Sequence, residues 1–235
     1  MANYHEGGEK VAILIDGAFY LRRAHDLFGE KTAQARADEI CTYAKRHLLK
    51  NDSLYRIFYY DCPPIDVNLY HPFTKQQVNM KKTDLYKWAT AFLEELANKR
   101  KVAIRLGELQ ERESAFRIKD KSMRQLCSGK KSFESLSEDD FELDLVQKGV
   151  DMRIGLDIAS LAHKKQVSKI VLISGDSDFV PAAKHARREG IDFVLDPMWQ
   201  GIRPELNKHI DGLHSCTKKR PTPENEKLCV RGKDE

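Results

Sequence analysis

Two short apolar runs, Val11-Ala12-Ile13-Leu14-Ile15 and Ile170-Val171-Leu172-Ile173, contain no polar residue, and each stops at an aspartate-bearing turn, Asp16-Gly17 in the first and Ser174-Gly175-Asp176 in the second. Runs of this length, rich in branched residues and bounded by glycine, predict strands buried on both faces, as in a parallel sheet. Further strands are predicted over 54–60, 102–106 and 191–195. Between them the apolar positions take helical spacing over 18–28, 35–49 and 179–189, the last closed by Gly190, and in the run Leu85, Trp88, Ala89, Phe92, Leu93 and Leu96. Strands alternating with helices predict an α/β fold: a three-layer sandwich around a mostly parallel five-stranded sheet.

Residues 108–147 break this rhythm and are expected to form an accessory element. Its first half carries Arg117, Lys119, Lys121, Arg124, Lys130 and Lys131, and its second Glu134, Glu138, Asp139, Asp140, Glu142 and Asp144. Lys119, Lys121 and Arg124 are candidates for a phosphate-holding rim; the alternative is that the two halves pair with each other. The acidic half is expected to be a helix capped by Ser137. Residues 1–9 and 217–235, polar and proline-marked towards the end, are expected to be mobile, with a single domain over 10–216.

The chemistry lies where the strands stop. Asp16 and Asp176 each end a predicted strand, at the edge where open α/β sheets place their sites. Lys148-Gly149-Val150-Asp151 opens a helix that also bears Asp157, and a helix leading into a parallel strand begins at the edge where that strand will end. Asp178 follows two residues after Asp176. Carboxylates crowded in this way repel unless a cation neutralises them, and an all-oxygen donor set favours Mg²⁺ or Mn²⁺ over zinc. Asp16 and Asp176 are the leading ligands, Asp157 next, and Asp151 and Asp178 act directly or through water. Asp151 and Asp157 lie about 240° apart on an ideal helix, so both reach one cluster only if Asp151 sits at or before the first turn. The competing reading is local: Asp-Gly pairs make turns, and Asp151 caps a helix. Lys148 is a candidate phosphate contact, and Ser174 and Ser177 are candidates to orient carboxylates or substrate.

Together, Ile15-Asp16-Gly17, Lys148-Gly149-Val150-Asp151 with Asp157, and Ser174-Gly175-Asp176-Ser177-Asp178-Phe179 followed by Pro181 resemble the three motifs of NYN-domain proteins of the LabA/DUF88 type, within the PIN-like nuclease superfamily. The resemblance covers residues 11–213. It implies a PIN-like, Rossmann-like fold and metal-dependent, endonucleolytic cutting of RNA at the aspartates named above, with single-stranded DNA as a further substrate. Many relatives carry Asn two residues after the first aspartate, where this chain has Ala18. The same position argues against an aspartate-nucleophile phosphatase, which needs Asp-x-Asp there. The remaining alternative is a non-catalytic regulator that binds RNA or protein on the same fold.

Composition alters this picture little. The 235 residues include 40 Lys and Arg against 36 Asp and Glu, a net charge of +4; with acid gathered at the proposed site, the basic charge must lie elsewhere on the surface, as polyanion binding requires. The five cysteines, Cys41, Cys62, Cys127, Cys216 and Cys229, have no zinc-like spacing and read as free thiols of a cytoplasmic protein. No apolar run approaches the ~20 residues that span a bilayer.

Overall fold

The computed structural model describes residues 8–217. The chain runs through β1 (Lys10–Asp16), α1 (Gly17–Phe28), α2 (Ala33–Lys45), β2 (Ser53–Asp61), β3 (Asn68–His71), β4 (Gln76–Asn79), α3 (Asp84–Ala97), β5 (Val102–Leu106), β6 (Glu108–Leu109), β7 (Ala115–Ile118), α4 (Asp120–Cys127), β8 (Phe141–Asp144), β9 (Gln147–Lys148), α5 (Val150–His163), β10 (Lys169–Ile173), α6 (Val180–Arg188), β11 (Asp192–Asp196), α7 (Pro204–Asn207) and β12 (Gly212–Leu213).

The central sheet has six strands in the order β12-β11-β10-β1-β2-β5, every neighbour parallel. The expected five are present, and the sixth is β12, whose two residues are too few to show a periodicity. Alternate residues of β1 face opposite layers. Val11, Ile13 and Ile15 pack with Phe19 and Tyr20 of α1, Ile40 and Tyr43 of α2, and Phe92 and Leu96 of α3. Ala12 and Leu14 pack with Ile154 and Ile158 of α5 and Ala183 and Ala186 of α6. This is the three-layer sandwich, with β1 buried on both sides.

Strand order decides where the site lies. From β1 the chain builds outward through β2 to β5, then returns to lay β10, β11 and β12 on the other side of β1. The reversal falls between β1 and β10, and at such a switch point the loops leaving the two strands part and open a crevice at the carboxyl edge.

The accessory element is larger than expected and drawn from two segments. β3 and β4 form an antiparallel hairpin, β7 pairs antiparallel with β8, and β6 with β9. Ile65, Leu69 and Met80 pack against Phe116, Leu143 and Leu145, so the hairpin and the 108–148 segment share a small core of their own. The helix expected over the acidic half is a correction. Ser137 begins a single 3-10 turn, Glu138–Asp140, and the chain then extends as β8, where Phe141-Glu142-Leu143-Asp144 alternates and pairs with β7. Ladder pairing outweighs the helix-favouring acids. The two charged halves do pair in part: Lys131 reaches Asp140 at 2.6 Å, Arg117 reaches Asp144 at 2.9 Å, and the Lys119 ammonium donates to the Asp139 carbonyl at 2.7 Å.

No described helix is long and apolar enough to cross a membrane. The expectations for residues 1–7 and 218–235, Cys229 included, lie outside the described residues. Glu9 is held, its N–H donating to Asp52 at 3.0 Å.

Candidate active site at the carboxyl edge

Asp16 is the last residue of β1 and the N-cap of α1. One carboxylate oxygen accepts the Phe19 N–H at 3.1 Å and the other the Ser174 hydroxyl at 3.2 Å. The chain turns from strand to helix at once because Gly17 lets the backbone pass against β2: a Cβ there would stand 2.6 Å from the Tyr59 ring and the Tyr60 carbonyl. Register brings the next group in. Ile15 lies opposite Ile173, so Ser174 emerges beside Asp16, and its oxygen also accepts the Asp176 N–H at 3.3 Å. Asp176 then accepts the Asp178 N–H at 3.0 Å as it begins the 3-10 turn Ser177–Phe179. Asp176 and Asp178 are exposed, and Ser177 stands half-buried between them.

Asp151 enters from α5. Gly149, at φ +78° in the left-handed region that glycine tolerates, is the residue that caps this helix. Asp151 is therefore inside the first turn and free of capping duty, as its reach towards the other acids demands. Its carboxyl is raised by partial burial, and then by the charges of Asp176 and Asp178.

Asp61 completes the edge, and no pattern in the sequence singles it out as a site residue. It ends β2 next to β1, just as Asp16 ends β1. Its carboxylate accepts the Tyr59 hydroxyl at 2.8 Å, the Cys62 N–H at 2.7 Å and the Gln147 amide at 3.2 Å. Burial raises its pKa against those three donors. The strongest effect falls on Asp16, raised from 3.8 to about 6: burial is the main cause, the donors Phe19 and Ser174 oppose it, and the charges of Asp151 and Asp61 add to it. These shifts tie Asp16, Asp61, Asp151, Asp176 and Asp178 into one electrostatic cluster drawn from four segments.

Asp157 is directed elsewhere. Its carboxylate accepts the Tyr60 hydroxyl at 2.7 Å and Arg105 Nε at 3.3 Å, on the neighbouring strands β2 and β5. Lys148 also faces away. Within β9, Gln147 points to Asp61, so the next side chain takes the opposite face, and the Lys148 ammonium meets Gln110 at 3.2 Å and Glu113 at 3.9 Å. Of the basic trio, Lys119 is bound to the Asp139 carbonyl, while Lys121 and Arg124 line a groove of about 480 Å³ with Asp120, Gln125, Ser128 and Lys130.

The donor set fits a hard divalent cation: five carboxylates on one edge, with burial and the neighbouring charges raising the carboxyl of Asp16 to about 6. Among the described residues, no three of these carboxylates present oxygens within 4.8 Å of one another. An ion held there would take at most two of them directly and reach the rest through its waters, a mode open to Mg²⁺.

A solved structure from Vibrio parahaemolyticus RIMD 2210633, described as a protein of unknown function, is similar at a TM-score of 0.45 and 12% identity, covering 90% of this chain and 94% of that one. No curated protein is similar enough to count as a relative. The model of the NYN domain matches residues 10–201, which span the sheet from β1 to β11 and every aspartate of the edge. The chain belongs to the NYN domain family, within the PIN-like nuclease superfamily.

Proposed function

We propose that this protein is a divalent-metal-dependent ribonuclease that hydrolyses RNA phosphodiester bonds, endonucleolytically, at the carboxyl edge of its sheet. The observation that carries the reading is the placement of Asp16 at the switch point of the sheet, joined through Ser174 to the turn that bears Asp176 and clustered with Asp61 and Asp151. A carboxylate desolvated at a switch point, with Asp61 and Asp151 raising it further, is a site built to be neutralised by a cation.

Asp16 and Asp176 would hold the ion directly, with Asp151, Asp178 and Asp61 acting through water or at its rim. When bound, Mg²⁺ or Mn²⁺ would lower the pKa of a water and offset the charge that develops on the phosphodiester. The chain's own residues set the geometry. Ser174 fixes the Asp16 carboxylate by its hydroxyl and the turn to Asp176 by its oxygen, so the two leading acids share one positioning group. Tyr59 and Gln147 fix Asp61 in the same way. Asp157 supports the floor of the site by tying α5 to Tyr60 and Arg105. Lys121, Arg124 and Lys130 would take backbone phosphates of a bound strand at a distance from the cut.

The test is incubation of end-labelled single-stranded RNA and DNA with the purified protein in Mn²⁺, Mg²⁺ or chelator. Cleavage of RNA that needs the metal and disappears in Asp16→Asn supports the reading. Binding of RNA without cleavage in any metal would instead make the protein a regulator on a nuclease fold.

A further inference from the structure

A second group of metal-type donors lies outside the aspartate edge. Asp196, the last residue of β11, is wholly buried and accepts four hydrogen bonds: from the Tyr43 hydroxyl at 2.6 Å, the Met198 N–H at 2.7 Å, the Ser215 hydroxyl at 2.9 Å and His47 Nε2 at 3.0 Å. The last of these leaves His47 Nδ1 facing the segment that follows β12. There Cys216 Sγ lies 3.4 Å from His47 Nδ1 and 3.7 Å from His214 Nδ1. The three donor atoms all fall within 4.8 Å of one another.

We propose that His47, His214 and Cys216 form a zinc site. The spacing carries the assignment. With Zn–S near 2.3 Å and Zn–N near 2.0–2.1 Å, tetrahedral coordination separates a sulfur and a nitrogen donor by roughly 3.5 Å, and the two observed separations bracket that figure. Two imidazoles and a thiol suit zinc as the all-carboxylate edge does not. The outer shell is already in place. A carboxylate on the far nitrogen of a metal-binding imidazole fixes the ring and its tautomer, and Asp196 stands in that relation to His47. The loop that brings His214 and Cys216 is held independently of any ion: the Trp199 N–H donates to Ser215 at 3.1 Å, and its indole N–H to the Thr217 carbonyl at 2.6 Å.

Zinc here would clasp the end of the domain to α2. His47 lies just past the end of α2 and is buried, Cys216 is half-buried, and His214 is exposed. Solvent thus reaches the cluster from the His214 side, leaving the fourth position of a tetrahedral ion open to water. The spacing escapes a sequence search because His47 sits 169 residues from Cys216, and His214-Ser215-Cys216 alone resembles no zinc motif.

The test uses the full chain stripped of metal and titrated with Zn²⁺, and in parallel with Co²⁺ followed by absorption. The expected result is one equivalent bound, a thiolate-to-cobalt charge-transfer band with tetrahedral d–d bands, and a rise in melting temperature with Zn²⁺. His214→Ala and Cys216→Ser should each weaken Zn²⁺ binding at least tenfold and remove the charge-transfer band. His214 is exposed, so its variant keeps the fold, which circular dichroism checks. Asp16→Asn with Asp176→Asn should leave zinc binding unchanged, separating this site from the acid edge. Absence of zinc binding in the unaltered chain, or affinity lowered less than tenfold in either the His214 or the Cys216 variant, would overturn the proposal and leave these groups joined by hydrogen bonds alone.

Discussion

Ser174 donates its hydroxyl to Asp16 over 3.2 Å although 158 positions of sequence separate the two. The bond spans the gap between β10 and β1, where the chain reverses the direction in which it builds the sheet. It is the shortest statement of how the fold makes a site, since neither residue has meaning at that edge without the other strand. Replacing Ser174 with Ala should leave the fold in place, shift the Asp16 carboxyl upward by removal of a donor, and lower cleavage about 10- to 100-fold, as loss of a ligand's supporting hydrogen bond does elsewhere. Unchanged turnover would separate Asp16 from the chemistry.

Asp176→Asn should abolish metal-dependent cleavage with little change in melting temperature. Asp176 is exposed and its side chain accepts the Asp178 N–H, which an Asn oxygen also does. A variant that fails to fold, or one that cuts RNA at the parent rate, would remove Asp176 from the metal site.

Asp61 and Asp157 should separate in a matched pair of variants. Asp61→Asn removes a charge from the cluster that raises Asp16 and should lower cleavage about 10- to 100-fold. Asp157→Ala strips the acceptor from the buried Tyr60 hydroxyl, so its main effect should be a loss of about 1–3 kcal/mol of stability. Chemical denaturation and cleavage rates on the same samples check both; the opposite ranking would return Asp157 to the ligand set.

Acid should stabilise the metal-free protein through Asp16. Its carboxyl binds a proton near pH 6 when folded and near 3.8 when unfolded, so between those values the folded chain holds more protons and stability falls as pH rises. Two pKa units correspond to about 3 kcal/mol. Melting temperatures between pH 4.5 and 7 should therefore decline more steeply in the parent than in Asp16→Asn; parallel curves would contradict it. At pH 7.5, Mn²⁺ at 100 times its dissociation constant should restore about 2.7 kcal/mol, and the Asp16→Asn, Asp176→Asn double variant should not respond.

The basic groove gives a salt-dependent prediction. Changing Lys121, Arg124 and Lys130 together to Ala should weaken single-stranded RNA binding and reduce the slope of log affinity against log salt by about 2, near 0.7 for each phosphate that is no longer neutralised. Lys119→Ala should do less, because that ammonium is held by the Asp139 carbonyl. An unaltered slope would mean that these charges serve only the surface of the lobe.

Much of the architecture is legible in the sequence because β1 and β10 are buried on both faces, which leaves uninterrupted apolar runs whose ends are plain. Asp16, Asp176 and Asp178 follow from those ends. Asp61 obeys the same rule, but Tyr59, Tyr60 and the prolines behind Cys62 make β2 read as a strand being stopped rather than one delivering an acid. The destination of Asp157 is not legible: Tyr60 and Arg105 lie 97 and 52 residues away, and nothing local announces them. The β3–β4 hairpin buries only Leu69 and His71 along its first strand and no residue of its second, too little for a periodic signal. In the acidic half, Ser137 does mark the start of an element, but the partner that makes the next residues a strand is β7, more than twenty positions earlier.

The return path of the lobe runs straight into the chemistry. Gln147 holds Asp61, Gly149 turns the chain, and Asp151 stands two residues beyond that turn. The lobe and the sheet therefore do not form two modules joined by a hinge that a truncation can sever. Excising residues 108–148 would untie Asp61 and shift the entry of α5 in the same stroke. A designer wishing to exchange the lobe for another would have to carry the last three residues of its exit strand and turn across intact, since those belong to the acidic edge as much as to the appendage.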